Sequence, residues 1–161
     1  MPSNTIRTLA AVAAAGLAVA ALSALPASGQ DPTRIVTFTT TQKNGDEQFI
    51  DLRPKGESPG DRFTVSSTIH MSGKKAGRVE ADCLALDRSY EVFSCSGVAL
   101  LPDGSITFHG ASANKTLPGG VGAKKSIYAI TGGTGTYIGA GGTATRVGSG
   151  KVDKFVLELT R

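Results

Sequence analysis

Apolar and polar residues alternate along residues 62–71, which is the clearest pattern in the chain. A mostly apolar set falls on every second position: Phe63, Val65, Ser67, Ile69 and Met71. The positions between them carry Arg, Thr, Ser, Thr and His. A period of two residues is that of a β-strand with one buried face. The pattern therefore predicts a half-buried strand whose more apolar face points to the protein interior.

Several other short, β-branched segments follow residue 30, and none shows a sustained helical period. Strands are predicted at 35–41, 48–52, 62–71, 79–86, 91–97, 106–110, 126–131, 136–147 and 154–160. Turn sequences separate them, including residues 72–77 and the hairpin pair Asp103-Gly104. Eight or nine strands at this spacing indicate a sandwich or a barrel. Because a closed sheet has no exposed edge, we favour an all-β barrel.

Alternation also predicts which side chains line the interior of such a barrel. The predicted cavity set is Phe63, Val65, Ser67, Ile69, Tyr128, Tyr137, Phe155 and Leu157. An apolar lining with a few hydroxyl groups suits a flat or chain-like hydrophobic ligand, such as a lipid, a polyketide or a phenolic compound. A barrel of this size is equally well filled by its own side chains. Both interpretations stay open at this point.

Composition narrows the possible chemistry. The chain has 21 Gly among 161 residues and no Trp, which is typical of a domain with many turns rather than a helical bundle. Two Cys and two His cannot form a zinc-cysteine scaffold or a haem-attachment motif, and we predict no metal or cofactor. The net charge of +4 is mild, and no aromatic residues are interleaved with the basic ones as a nucleic-acid platform requires.

Residues 1–29 have the pattern of a secretory signal peptide. One basic residue, Arg7, precedes an uncharged apolar run at 8–22, and Pro26 with several small residues follows. As a helix, a run of about 15 residues spans only ~22 Å, less than the ~30 Å of a bilayer core. We therefore expect cleavage near Gln30, a single domain at 30–161, secretion, and no membrane span in the mature form.

Cys83 and Cys95 both lie in the part of the chain that would be exported, where paired cysteines usually join. A hairpin that turns around residues 88–90 places them directly opposite each other on adjacent strands. Facing residues of an antiparallel pair lie close to the separation that a disulfide needs. We predict a Cys83–Cys95 disulfide; the alternative is a reactive thiol.

Other polar residues have less specific interpretations. His70 and His109 share their strand faces with threonines and charged residues, so we expect both to point outward. Asp61 and Arg62 would form either a gating pair at the barrel mouth or a contact that stabilises a loop. Basic residues cluster at turns and are expected to be solvated there: Lys74, Lys75, Arg78, Lys124 and Lys125.

The sequence Tyr-Ala-Ile-Thr-Gly-Gly-Thr-Gly-Thr-Tyr-Ile-Gly-Ala-Gly-Gly at 128–142 resembles a signature shared by allene oxide cyclase-like barrels and plant dirigent proteins. Further segments occur in the same order: residues 60–63, Gly77-Arg78 before Cys83, the Cys95 strand, and residues 101–106. The resemblance implies an eight-stranded antiparallel barrel of calycin type with a hydrophobic cavity, assembled as a homo-oligomer, a trimer or a dimer. It also implies cofactor-free chemistry: cyclisation of a fatty-acid epoxide or steering of phenolic radical coupling.

The catalytic residues of these families do not carry over. Where allene oxide cyclases have a glutamate on the first strand, residues 39–42 are Thr-Thr-Thr-Gln, and Ser67 occupies the asparagine position. The cavity cysteine corresponds to Cys83, which we expect to be in a disulfide. Where dirigent proteins have an arginine after the signature, residues 139–142 are Gly-Ala-Gly-Gly. No catalytic residue is assigned from the sequence.

Two functional hypotheses follow. The first is a secreted barrel that binds a small hydrophobic molecule and acts as a cofactor-free cyclase, isomerase or dirigent-like stereocontrol protein. The second is a non-enzymatic carrier or structural protein whose barrel is filled by side chains. The missing first-strand carboxylate favours the second hypothesis, and the apolar face with isolated hydroxyl groups favours the first.

Overall fold

The computed structural model describes residues 34–43, 46–52, 54–89, 92–113, 125–148 and 151–160. Its elements are β1 (Arg34–Thr41), β2 (Glu47–Ile50), β3 (Arg62–Met71), β4 (Lys74–Ala85), β5 (Val92–Leu101), β6 (Gly104–Ala113), β7 (Lys125–Gly133), a 3-10 turn (Gly135–Tyr137), β8 (Gly141–Gly148) and β9 (Val152–Thr160). The described residues form no α-helix, so none is available there to cross a membrane. The leader expected at 1–29, Tyr90 of the Cys83–Cys95 hairpin and Lys124 lie outside the described residues.

All neighbouring strands pair antiparallel, in the order β1-β9-β8-β7-β6-β5-β4-β3. β1 pairs with β9 along its whole length, from Arg34 opposite Leu159 to Thr41 opposite Val152. The end of β1, residues 39–41, also pairs with β3. Because β1 bonds to a strand on each side, the sheet closes on itself. The fold is therefore the predicted all-β, eight-stranded antiparallel barrel.

β2 lies outside the ring of eight strands. Its residues 47–50 pair with residues 62–65 of β3, while β1 pairs with β3 further along, at residues 68–70. β1 and β2 thus follow one another along the same edge of β3. This arrangement brings β2 to the mouth of the barrel, beside the end of β1.

Several predicted boundaries were wrong, and the two largest differences are at the starts of β8 and β4. The strand expected at 136–147 begins only at Gly141, because residues 135–137 form a 3-10 turn whose Thr136 N–H donates to the carbonyl of Asp103. The turn expected at 72–77 takes only two residues, Ser72 and Gly73, and β4 starts at Lys74. Both have positive φ, 50° and 76°, which closes a hairpin in two residues.

The barrel interior is filled at the end that contains the 3-10 turn. Ile69, Ile106 and Leu157 are almost completely buried there, with Ala99 opposite Ile106 and Ala144 opposite Leu157 in register. Above this layer Phe155 stacks on Phe38, with ring centroids 5.1 Å apart. Side-chain packing of this kind closes the lower half of the barrel and leaves the opposite half for a cavity.

Candidate functional site

A cavity of about 110 Å³ lies inside the open half of the barrel. Its lining comprises Thr40, Gln42, Glu47, Phe63, Val65, Ser67, Val79, Ala81, Cys83, Cys95, Phe108, Ser112, Tyr128, Arg146, Asp153 and Phe155. A single water molecule needs roughly 10 to 15 Å³ of such space. The cavity is therefore large enough for several waters or for a small organic molecule. The barrel is therefore partly filled by its own side chains and partly hollow, so it matches neither a completely filled barrel nor one that is open throughout.

Five of the predicted cavity residues come together in this lining. Phe63, Val65 and Ser67 reach it from β3, and Tyr128 and Phe155 reach it from β7 and β9. Their convergence follows from the register, which sets alternate residues of each strand on the inner face.

The other three predicted cavity residues lie elsewhere. Ile69 and Leu157 belong to the packed layer below the cavity. Tyr137 is buried at the opposite end, where the Arg34 guanidinium lies over its ring at 4.9 Å from the centroid. The 3-10 turn, which the sequence pattern did not reveal, moves Tyr137 away from the inner face of β8.

Cys83 and Cys95 are in register on β4 and β5, with their Cα atoms 4.0 Å apart, and they form a disulfide. The predicted pairing is confirmed, and the reactive-thiol alternative is excluded. Both residues are buried and line the cavity. The sulfur atoms therefore form an apolar, polarisable part of its wall.

Arg146 and Asp153 bring charge into the barrel, and the sequence pattern did not reveal either of them. Arg146 Nη1 lies 3.5 Å from Asp153 Oδ2, and only 14% and 9% of the two side chains are exposed. Arg146 stands in register between Ser126 and Phe155, which are both buried. Alternation along β8 could have placed Arg146 in the barrel interior, since Gly142, Ala144 and Arg146 occupy one face of that strand. The comparison with dirigent proteins considered only residues 139–142, where this chain has no arginine.

Glu47 gives the cavity a second carboxylate. It lies on β2, whose end-to-end placement with β1 directs it to the lining. β1 has no carboxylate, as the sequence showed, but the short strand β2 supplies one to the cavity. The residue was overlooked because β2 is short and all four of its residues are exposed, so it carries no alternating pattern.

Hydroxyl groups add neutral donors and acceptors near the charged pair. The buried hydroxyl residues of the barrel interior are Thr40, Ser67, Ser112 and Ser126, each at most 8% exposed, and all but Ser126 line the cavity. A hydroxyl both donates and accepts hydrogen bonds. The polar half of the cavity can therefore orient an oxygen-bearing ligand, while Phe63, Phe108 and the disulfide form the apolar half.

Asp61 stabilises a loop and does not form a pair with Arg62. Its fully buried carboxylate accepts hydrogen bonds from the backbone N–H of Leu52, at 2.7 Å, and from the N–H and hydroxyl of Ser58. Arg62 instead makes a two-point contact with Asp82 on the outer surface, and this hydrogen-bonded contact raises the pKa of Arg62. Neither Asp61 nor Arg62 lines the cavity.

The two histidines lie on the outer face of the barrel, as we expected. His70 Nε2 is 3.0 Å from the Thr41 hydroxyl, and His109 Nδ1 is 2.8 Å from the Ser96 hydroxyl. Within the described ranges, no three His, Cys, Asp or Glu side chains are grouped so as to hold a metal ion.

No protein-family profile and no curated protein sequence matches this chain. Several solved structures share its fold. A pyocyanin demethylase has a TM-score of 0.65 at 23% identity, covering 79% of this chain and 100% of its own. A pterocarpan synthase dirigent protein has a TM-score of 0.60 at 13% identity, covering 80% of this chain and 84% of its own.

A third likeness is to an exo-specific intermolecular Diels–Alderase, with a TM-score of 0.59 at 14% identity, covering 80% of this chain and 98% of its own. These three proteins carry out different reactions, so the likeness extends to the fold and not to one activity. The chain has the barrel fold shared by dirigent proteins and cyclase-like enzymes, as the glycine signature at 128–142 predicted.

Proposed function

We propose that this barrel binds a small, mostly hydrophobic organic molecule and acts on it as a cofactor-free cyclase, isomerase or stereocontrol protein. The observation that carries the proposal is the cavity itself, in which an aromatic and disulfide wall faces a few converging polar groups. Concave apolar sites with a few placed polar groups are the usual form of ligand sites. The named activities of the structurally similar proteins support the same class of chemistry.

The cavity offers three means of catalysis. A shaped apolar wall holds a flexible substrate in a reactive conformation, which lowers the entropic cost of bringing its reacting atoms together. Arg146, at the polar side, stabilises negative charge that develops on a substrate oxygen. Glu47 is a lining carboxylate placed to accept or return a proton.

We also propose that the protein is secreted after removal of residues 1–29. The apolar leader pattern and the Cys83–Cys95 disulfide support this, because disulfides persist in oxidising compartments. The N-terminus of protein recovered from culture medium tests it. A mature chain that starts near Gln30 is expected, and full-length chain retained in the cell would contradict it.

A binding screen with a cavity-filling variant tests the ligand proposal. Ala81 lines the cavity, whereas Ala129 is exposed on the outside of β7. We expect unsaturated lipids, polyketides or phenolic compounds to raise the melting temperature of the wild type and of Ala129→Leu, but not of Ala81→Leu. Native mass spectrometry of the same samples gives the mass of any bound compound and the number of chains in the assembly.

If no compound raises the melting temperature and no copurified mass appears, the ligand proposal fails. The non-enzymatic hypothesis then remains, with the interior serving only to pack the barrel.

A further inference from the structure

The charged residues of the cavity lining lie on strands other than β3 to β5, whose part of the lining is mostly apolar. The carboxylates and the guanidinium come from β2, β8 and β9, through Glu47, Arg146 and Asp153. The wall formed by β3 to β5 consists of Phe63, Val65, Ser67, Val79, Ala81 and the disulfide. A ligand that fills this space therefore needs a polar end directed to β8 and β9, and an apolar body directed to β3 to β5.

Arg146 is the only cation in this lining, among the residues that the structure describes. The side chain is 14% exposed, and an ionic contact is stronger in such a site than in open water. A guanidinium also has N–H groups on three nitrogens, so it can contact an aspartate and a second acid at once.

Asp153 is placed to hold the Arg146 side chain rather than to meet a ligand. Its Oδ2 contacts Arg146 Nη1 at 3.5 Å. Its Oδ1 lies against the Gly148 backbone, where the Cβ of any other residue would overlap it. Both carboxylate oxygens of Asp153 are thus directed to β8. Glu47, by contrast, is on an exposed strand at the rim, where water and salt screen its charge.

We propose that Arg146 recognises a carboxylate on the ligand, and that Asp153 is a positioning residue that directs the guanidinium into the cavity. The substrate class is a small organic acid with a flat apolar body. This inference rests on the proposed ligand-binding function of the cavity and adds to it the sign and the place of the recognised charge.

Benzoate and benzamide provide the test, because they have nearly the same shape and only benzoate carries a negative charge at pH 7. We expect the wild type, titrated by NMR, to bind benzoate about 10-fold or more tightly than benzamide, since a charge-assisted pair contributes more than a neutral one. Arg146→Met should abolish this preference without weakening benzamide binding. Arg78→Met, which removes an arginine from the outer surface, should leave the preference unchanged.

Asp153→Asn tests the positioning role. It should reduce the benzoate preference several-fold while the benzamide affinity stays close to the wild-type value, which a purely structural role would not produce. Equal affinity of the wild type for both probes overturns the carboxylate inference but not the ligand proposal. This measurement uses only the wild-type protein, so it does not depend on whether any variant folds. Failure of both probes to bind overturns the carboxylate site, and the lipid, polyketide and phenolic screen decides separately whether the cavity binds ligands at all.

Discussion

Cys83 of β4 and Cys95 of β5 face each other in register, and their disulfide forms part of the wall of the barrel cavity. The bond spans only 12 positions of sequence and joins two strands that already pair with each other. A cross-link of this kind acts mainly on the unfolded chain, whose conformational freedom it restricts. Its contribution should therefore appear in stability rather than in the strand pairing.

Replacement of both cysteines by alanine is expected to lower the free energy of unfolding by about 2 to 4 kcal/mol. Urea denaturation of the wild type and of the Cys83→Ala, Cys95→Ala variant at the same pH measures the difference. In denaturant without reductant, the wild type should show no reactive thiol. Two reactive thiols, or an unchanged unfolding midpoint, would contradict the prediction.

A second prediction concerns Gly97 and the ring of Phe108. The two residues are in register on β5 and β6, and a Cβ atom at position 97 would overlap the Phe108 ring. Gly97→Ala should therefore push this ring and lower the free energy of unfolding by about 1 to 3 kcal/mol, as overpacking of a core does. Chemical denaturation measures the loss, and a change in the aromatic NMR signals of Phe108 should accompany it.

Gly141→Ala is the matched control for this substitution. At that position the nearest atom to an added Cβ is the Thr160 hydroxyl oxygen, at 3.4 Å, which is an ordinary contact. Its stability should stay within about 1 kcal/mol of the wild type. Equal losses of stability in the two variants would mean that overlap with the Phe108 ring does not cause the loss in Gly97→Ala.

The fold was accessible from the sequence because its signals are local. Alternation on β3 identified the inner face, with Phe63, Val65 and Ser67 at the cavity. The short hairpin placed Cys83 opposite Cys95 without knowledge of any distant contact. Each of these predictions depends only on the two-residue period of a strand and on one tight turn.

The charged part of the cavity could not be predicted from local sequence patterns. Arg146 and Asp153 meet across the β8–β9 hairpin, and both had to be placed inside a barrel before their charges mattered. Glu47 reaches the lining only because β1 and β2 follow one another along β3. Barrel closure decides these positions, and no local pattern encodes it.

Asp61 provides a third prediction. It is fully buried, and backbone N–H groups of Leu52 and Ser58 donate to its two carboxylate oxygens at 2.7 and 2.9 Å. Asp61→Asn replaces one of these acceptors by an NH₂ group that faces an N–H donor. Because hydrogen bonds to a buried charge are among the stronger ones, we expect a loss of about 2 to 4 kcal/mol.

Urea denaturation measures this loss, and limited proteolysis should show faster cleavage within residues 54–59. Asp51→Asn is the control, since that carboxylate is exposed and accepts a hydrogen bond from the Gly56 N–H at 3.2 Å. It should change stability by no more than about 0.5 kcal/mol. Similar losses in the two variants would show that the loop does not depend on the buried carboxylate.

The last prediction concerns the hydroxyl groups of Ser67 and Tyr128, the polar residues of the predicted set that reach the cavity. For any compound that binds, Ser67→Ala and Tyr128→Phe should each weaken affinity by about 2- to 10-fold, the effect of losing one hydrogen bond of roughly 0.5 to 1.5 kcal/mol. Tyr128→Phe keeps the ring that packs on Phe108, with centroids 5.6 Å apart, so the fold should tolerate it. Tyr137→Phe is the control, because Tyr137 is buried at the far end of the barrel and does not line the cavity. If Tyr137→Phe weakens binding as much as Tyr128→Phe does, or if neither cavity hydroxyl affects it, the compound does not bind where the structure places the site.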